Sequence, residues 1–139
     1  MIVYCTKTSH TNYKELSSRF TRHSGNAFKE TVYHNALIEE LKASHIEVES
    51  QKRINIYYRN KKVGVYIPDL IVGNLIIVEI KCKPNLTLND IRQFWHYLKG
   101  SEYKVGYLVN FGQPKKVELI RRVYDTARNR TEVVSRPLA

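Results

Sequence analysis

Two apolar runs, residues 67–72 and 75–82, lie in the middle of the chain and are separated only by Gly73 and Asn74. Runs of this length with a two-residue break predict two neighbouring strands, and the second run is apolar enough for a strand covered on both faces. Because the break is so short, a hairpin would bring the start of the first strand beside the end of the second.

These two strands carry three charged side chains, Asp69, Glu79 and Lys81. Burying a charge without a partner costs several kcal/mol, so the three groups must be exposed at a sheet edge, paired with one another, or holding a cation. Side chains alternate along a strand, which places Glu79 and Lys81 on the same face. Pro68 has no N–H to donate and marks an irregular point in the first strand, where a carboxylate can turn outward.

The remaining pattern predicts helices on either side of these strands. Apolar residues at helical spacing indicate helices over about residues 26–44 and 87–99, the second opened by a weak Thr87-Asp90 capping box and stopped at Gly100. Strand patterns cover residues 47–51, 54–58, 63–67, 104–111 and 117–124, with a polar turn at 59–62. The order predicts an α/β fold of the αβββαβ type, with a central mixed sheet flanked by helices.

An acidic residue, Glu30, falls in the middle of the apolar face of the first of these helices, which Tyr33, Leu37 and Leu41 share. If this face packs on the sheet, Glu30 points toward the interior and needs a partner there. The alternative is a frayed first turn, in which Glu30 is stabilised by the positive end of the helix.

The second helix presents an apolar stripe and a polar flank. The stripe consists of Ile91, Phe94, Trp95 and Leu98. Gln93 and Tyr97 lie four residues apart on one side of it, so their side chains neighbour each other on the helix surface.

The chain of 139 residues is long enough for one domain with a core and too short for two ordinary ones. We expect an N-terminal arm with a short helix over residues 1–24, a core over 25–124, and a basic tail over 125–139. Two cysteines, Cys5 and Cys82, are too few for a disulfide framework, and the start of the chain lacks the pattern of a secretory signal, so we expect a cytoplasmic protein with free thiols.

A formal charge of +10 makes nucleic acid the leading partner. Late in the chain the basic side chains Lys115, Lys116, Arg121 and Arg122 cluster, and we expect them to contact phosphates without reading sequence. A second group of basic residues lies in the predicted turn at 59–62. No apolar run approaches the roughly 18 to 20 residues of a membrane span, so no membrane partner is expected.

The motifs resemble those of a known family. Pro68-Asp69, nine intervening residues and Glu79-Ile80-Lys81 resemble the PD-(D/E)XK nuclease signature. Residues 27–33, AFKETVY, resemble the motif of the GxxExxY proteins, although Ala27 stands where that motif has glycine, and residues 93–97, QFWHY, resemble the QxxxY element of RecB-like exonucleases.

This resemblance spans about residues 25–124 and implies a restriction-endonuclease-like core. It implies that Glu30, Asp69, Glu79 and Lys81 form the site, that the main-chain carbonyl of Ile80 adds a metal ligand, and that Gln93 and Tyr97 orient the substrate strand or the lysine.

An all-oxygen set of acids favours Mg²⁺ or Mn²⁺ over zinc, and such ions assist phosphodiester hydrolysis by activating water and neutralising phosphate charge. The histidines are not spaced as metal ligands, and we expect His34, which alone approaches the Glu30 face, to be an ordinary boundary residue.

The sequence therefore predicts a metal-dependent nuclease acting on DNA rather than RNA, with exonuclease-like action as one form. An inactive nucleic-acid-binding module and a structural subunit with internally paired charges are the alternatives. A chain of this size has little surface to enclose a duplex, which is compatible with a homodimer.

Overall fold

The computed structural model describes residues 28–113 and 116–124. The predicted arm and short helix at 1–24 and the tail at 125–139 lie outside these residues. The described helices are α1 (Glu30–Ala43) and α2 (Leu88–Gly100), and the strands are β1 (Val48–Ser50), β2 (Ile54–Tyr58), β3 (Lys61–Tyr66), β4 (Leu70–Val72), β5 (Ile76–Lys81), β6 (Val105–Asn110) and β7 (Glu118–Val123). Neither described helix is long and apolar enough to cross a membrane.

A five-stranded sheet forms the centre of the fold, in the order β1-β4-β5-β6-β7. Its strands are antiparallel except for β5 and β6, which are parallel and are joined through α2. A parallel pair needs such a crossover, because a tight turn cannot return the chain to the same end of the sheet. The prediction of a mixed central sheet flanked by helices is confirmed.

Each face of the sheet is covered by apolar side chains from a different part of the chain. On one face α1 packs through Tyr33, Leu37 and Leu41, the residues that the helical pattern predicted. On the other face α2 packs through Phe94 and Leu98, together with the inner side of the β2-β3 hairpin. Successive side chains of β5 point to opposite faces of the sheet, so Val78 and Ile80 point to α1 whereas Ile77 points to α2.

The β2-β3 hairpin is a separate two-stranded sheet, and its turn is shorter than predicted. We expected a turn over residues 59–62, but Lys61 already pairs with Tyr58, which leaves Arg59 and Asn60 as the turn. Both turn residues have positive φ, the conformation of a two-residue turn whose twist matches that of the flanking strands. Lys61 and Lys62 are therefore strand residues, a fact that their polarity concealed.

Further boundaries differ from the predicted ones. The first helix begins at Glu30 rather than near residue 26, because Lys29 has an extended backbone and serves as its N-cap. The fourth strand begins at Leu70, since Pro68 cannot donate a ladder hydrogen bond and the chain leaves the hairpin before it joins the main sheet. The loop between β4 and β5 has three residues rather than the predicted two, because Val72 pairs with Ile76 and Leu75 belongs to the turn. Gly73 and Asn74 in this loop both have positive φ.

Candidate active site

Two hydrogen bonds join Asp69 to the neighbouring residues Glu79 and Ile80 of β5. The main-chain N–H of Ile80 donates to Oδ2 of Asp69 over 2.7 Å. The Glu79 carboxylate in turn is hydrogen-bonded by the main chain of Asp69. Asp69 lies just before β4, at the interruption that Pro68 causes, so its side chain reaches the neighbouring strand instead of following the pleat. The two acids are thereby held side by side.

Burial and the neighbouring acid together raise the pKa of Glu79. Burial and the nearby charge of Asp69 raise the pKa of Glu79 from 4.5 to about 7, against the opposing effects of the Tyr66 hydroxyl and of Lys81. A carboxyl whose charged form is so disfavoured gains from any added positive charge. This end of β5 therefore favours the binding of a cation.

The hydroxyl of Tyr66, at the end of β3, donates to Oε1 of Glu79. The Tyr66 ring stacks on that of Tyr97 from α2, with ring centroids 4.2 Å apart and planes inclined by 6°. Tyr66 thus connects the hairpin, α2 and the acidic pair. Tyr66 is not among the predicted site residues, because its partners lie on two other elements and strand alternation indicates only the face that it occupies.

A pocket of about 160 Å³ opens at this point between the hairpin and α2. Its lining brings together four predicted site residues from β5 and α2: Glu79, Lys81, Gln93 and Tyr97. A shallower groove along α2 also includes Gln93 and Tyr97, together with Asn89, Arg92 and His96, so the pocket is continuous with an exposed polar helix face.

Lys81 lies on the same face of β5 as Glu79, as alternation predicted, and lines the pocket. Over the part of the chain that the structure describes, the ion pairs within 4 Å are Lys52 with Glu49 and Lys83 with Asp90, and Lys81 takes part in neither. The ammonium still acts on the site at longer range, since its charge lowers the pKa of Glu79. Among the described residues, Asp69, Glu79 and Lys81 therefore do not form a network of internally paired charges.

Glu30 is the first residue of α1 and is exposed, which corresponds to the first-turn alternative rather than to an interior side chain. Partial burial and the charge of Asp69 raise the pKa of Glu30, whereas Lys81 and His34 oppose this rise. Glu30 thus lies within electrostatic range of the acidic pair although it does not line the pocket.

The donor set fits a hard divalent cation. Asp69 accepts from Ile80 through Oδ2, which leaves its Oδ1 for a metal. Glu79 accepts from the Tyr66 hydroxyl and from the main chain of Asp69, and its two oxygens have further lone pairs with which it could bind the same ion. Burial and the charge of Asp69 both raise the pKa of Glu79, and a cation between the two acids would lower it. Within residues 28–113 and 116–124, no group of three or more His, Cys, Asp or Glu side chains is gathered closely enough to form a metal cage. A cation held here would therefore depend on two acids, supplemented by main-chain oxygen and water, as Mg²⁺ accepts.

His34 of α1 supports the main chain at Asp69. Its Nε2 lies 3.2 Å from the main-chain oxygen of Asp69, to which a ring nitrogen can only donate, and 3.3 Å from Oγ of Ser50. The prediction of a boundary histidine agrees with its partial burial. Its contact with Asp69 was missed, because a main-chain acceptor leaves no mark in the sequence.

The predicted phosphate-binding residues lie away from the pocket or outside the described chain. Arg121 and Arg122 are on the edge strand β7, opposite Tyr107 and Gly106 of β6, and do not line the pocket. Lys116 is exposed in the segment before β7, and Lys115 lies outside the described residues. Their role in binding nucleic acid remains a prediction.

The model of one protein family matches most of the chain. Residues 10–123 match the model of the PD-(D/E)XK nuclease superfamily. The chain belongs to that superfamily. The match includes Asp69, Glu79 and Lys81 and most of the described fold. No curated protein sequence matches the chain significantly.

Two solved structures resemble the chain at low sequence identity. The crystal structure of SSO0001 superposes with a TM-score of 0.50 and 22% identity, covering 76% of this chain and 58% of that one. This chain therefore spans little more than half of that protein. An alkaline exonuclease from Laribacter hongkongensis, LHK-Exo, gives a TM-score of 0.44 and 14% identity over 90% of this chain and 73% of its own. The first likeness supports the restriction-endonuclease-like fold, and the second is too weak to inform the site.

Proposed function

We propose that this protein is a divalent-metal-dependent nuclease that hydrolyses phosphodiester bonds in DNA. The observation that carries the proposal is the placement of Asp69 beside Glu79. Lys81 lies on the same strand face as Glu79, lines the same pocket, and forms no ion pair with any residue that the structure describes. Membership of the superfamily supports a nuclease, and the basic composition supports a polyanionic substrate. The AFKETVY and QFWHY segments favour a relation to the GxxExxY and QxxxY proteins.

The role of each site residue in hydrolysis follows from its position. Asp69 and Glu79 would hold Mg²⁺ or Mn²⁺ together with the main-chain carbonyl of Ile80, and Glu30 would assist through water. When bound, such an ion lowers the pKa of a water molecule and neutralises charge on phosphate oxygens. Glu79 is kept in place by the Tyr66 hydroxyl, and Asp69 by the Ile80 N–H.

Lys81 supplies positive charge on the pocket side of β5. Because the described residues place no carboxylate within 4 Å of it, its ammonium is available to an incoming phosphate or to the attacking water. Gln93 and Tyr97 line the same pocket from α2 and would position the substrate strand. Their side chains neighbour each other on one helix flank, so a single strand can contact both.

The proposal is tested by incubating labelled single- and double-stranded DNA and RNA with Mg²⁺ or Mn²⁺ and following cleavage. We expect the Asp69→Asn and Lys81→Ala variants to lose activity, whereas Lys42→Ala, an exposed lysine near the end of α1, keeps it. Cleavage that survives both site substitutions would overturn the site assignment. Tight, salt-sensitive binding without cleavage by the wild type would favour an inactive binding module instead.

A further inference from the structure

The β2-β3 hairpin carries an unusual concentration of positive charge. Residues 52–68 contain no acidic side chain and five basic ones: Lys52, Arg53, Arg59, Lys61 and Lys62. Of these, Lys52 is paired with Glu49 over 2.7 Å. The three at and beside the turn, Arg59, Lys61 and Lys62, are exposed and form no ion pair with any described residue. A polyanion is the partner that such a surface attracts.

Packing leaves the outer half of this hairpin uncovered. The inner half is fixed to the domain by Ile54, Ile56 and Tyr66, which pack with α2. Beyond them, Tyr58 is 63% exposed, Val63 62% and Tyr57 45%. Large side chains so exposed beside several cations are not accounted for by the core of the domain.

Register places one tyrosine and one lysine together on each face of the hairpin. Tyr57 is paired with Lys62, and Tyr58 with Lys61. Residues directly opposite in an antiparallel pair project to the same face, with Cβ atoms about 5 Å apart, and successive pairs project to opposite faces. The Arg59 guanidinium lies over the Tyr58 ring, 5.4 Å from its centre, and is a second cation at that ring.

We propose that the β2-β3 hairpin is a binding arm for single-stranded nucleic acid. An exposed ring offers a surface on which an unpaired base can stack, and the lysine beside it contacts the adjoining phosphate. Bases in a duplex are already stacked on one another and cannot use the tyrosines in this way. The tyrosines therefore favour single strands over duplexes, whereas the cations attract both.

The hairpin also directs a bound strand toward the pocket. β3 runs from Lys61 at the turn to Tyr66, whose hydroxyl binds Glu79. A strand of this length spans about 17 Å, so nucleic acid on the outer half of the hairpin lies within a few nucleotides of the acidic pair. The assignment of single-stranded nucleic acid as the nuclease substrate rests on the proposed function, whereas binding by the hairpin does not.

Binding is tested without cleavage by measuring the fluorescence anisotropy of a labelled oligothymidylate in EDTA, with the Asp69→Asn chain as the parent. The same strand annealed to oligoadenylate serves as the duplex. We expect Tyr58→Ala to weaken single-strand binding about tenfold while duplex binding changes little, and Tyr58→Phe, which keeps the ring, to bind as the parent does. Equal affinity of the alanine and phenylalanine variants for the single strand would overturn the stacking role.

The cations are tested by a matched pair of double variants. Lys61→Gln with Lys62→Gln should weaken single-strand binding about tenfold and reduce the slope of log affinity against log salt by about 1.4, or 0.7 for each phosphate contact. Lys42→Gln with Lys104→Gln removes the same charge from exposed positions outside the hairpin and should change neither quantity appreciably.

Identical losses in the two double variants would overturn the hairpin assignment and leave only a general effect of net charge. Preferential binding of the parent to anionic lipid vesicles over the oligonucleotide would also overturn it. If hairpin-dependent binding is found but the wild type with metal does not cleave, the proposed nuclease function fails and the hairpin assignment stands.

Discussion

The Asp69 carboxylate accepts a hydrogen bond from the main-chain N–H of Ile80, with 2.7 Å between Oδ2 and the nitrogen. This bond joins the residue that precedes β4 to the residue that follows Glu79 in β5. The acid therefore has a structural contact as well as a proposed chemical role, and substitutions can separate the two.

We expect Asp69→Asn to keep the fold and lose cleavage, because the amide oxygen still accepts from Ile80 while the negative charge is gone. Asp69→Ala should lose cleavage and also destabilise the protein by about 1–3 kcal/mol, since the Ile80 N–H is left without its acceptor. Cleavage assays and urea unfolding measure the two effects. Equal stability of both variants would show that the bond contributes little.

Glu79 should make the stability of the metal-free protein depend on pH. Its pKa is raised from 4.5 to about 7 in the folded state, so the folded chain holds the proton more tightly than the unfolded chain. The proton on Glu79 therefore stabilises the folded state fully below pH 4.5. As the pH rises to about 7 this contribution is lost, and the free energy of unfolding falls by up to about 3 kcal/mol. Thermal unfolding in EDTA across this range measures the loss.

The isosteric Glu79→Gln variant provides the control, because it cannot titrate. It should flatten this part of the profile and remain more stable than the wild type above pH 7 in EDTA. Mg²⁺ should restore stability to the wild type above pH 7 and not to the variant. A wild-type profile unchanged by the substitution would contradict the raised pKa of Glu79.

Removal of the Tyr66 hydroxyl should act on Glu79 rather than on packing. Tyr66→Phe keeps the ring stack with Tyr97 but loses the bond that lowers the pKa of Glu79. We expect the pKa of Glu79 to rise further and Mg²⁺ binding to weaken about tenfold, as supporting hydrogen bonds to metal ligands commonly do. Calorimetric titration with Mg²⁺ measures the change.

Tyr97→Phe is the matched control, since it also removes one hydroxyl from the stacked pair and leaves the Tyr66 bond to Glu79 intact. Its Mg²⁺ affinity should stay near that of the wild type. Equal losses of affinity in the two variants would mean that the stack, and not the hydroxyl of Tyr66, holds Glu79.

Asn110 should be the most sensitive polar position at the end of β6, because it is fully buried and holds the chain that leaves β5. Its Oδ1 accepts from the main-chain N–H groups of Lys83 and Gly112, and its Nδ2 donates to the Lys83 carbonyl and to Glu118. We expect Asn110→Leu to destabilise the protein by about 2–4 kcal/mol by leaving these groups unsatisfied. Asn89→Leu, at an exposed position of α2, should change stability by less than about 0.5 kcal/mol in the same denaturation experiment.

Local sequence patterns predicted much of the fold, because helix faces and helix caps are determined by residues that are close together in the chain. The spacing of Tyr33, Leu37 and Leu41 predicted the buried face of α1, and Thr87 and Asp90 form the predicted capping box at the start of α2. These features depend on residues a few positions apart, which the sequence displays directly.

The remaining features depend on contacts between distant elements. The bonds from Tyr66 to Glu79 and from His34 to the main chain of Asp69 join separate elements, and neither periodicity nor residue type specifies such a partner. The start of β3 was placed too late because the lysines at 61 and 62 resemble a turn. Their pairing with exposed tyrosines on the opposite strand is visible only once the strand register is known.

The three residues between β3 and β4, which include Pro68 and Asp69, connect the two-stranded hairpin to the five-stranded sheet. Strand faces repeat every two residues, so one residue gained or lost within this segment would turn Asp69 or the whole of β4 to the wrong face. The hairpin has no such constraint at its far end, where a pair of residues added on each strand preserves every contact at its base. Changes in length can thus accumulate at the turn, and the reach of the arm can be altered without moving the acidic pair.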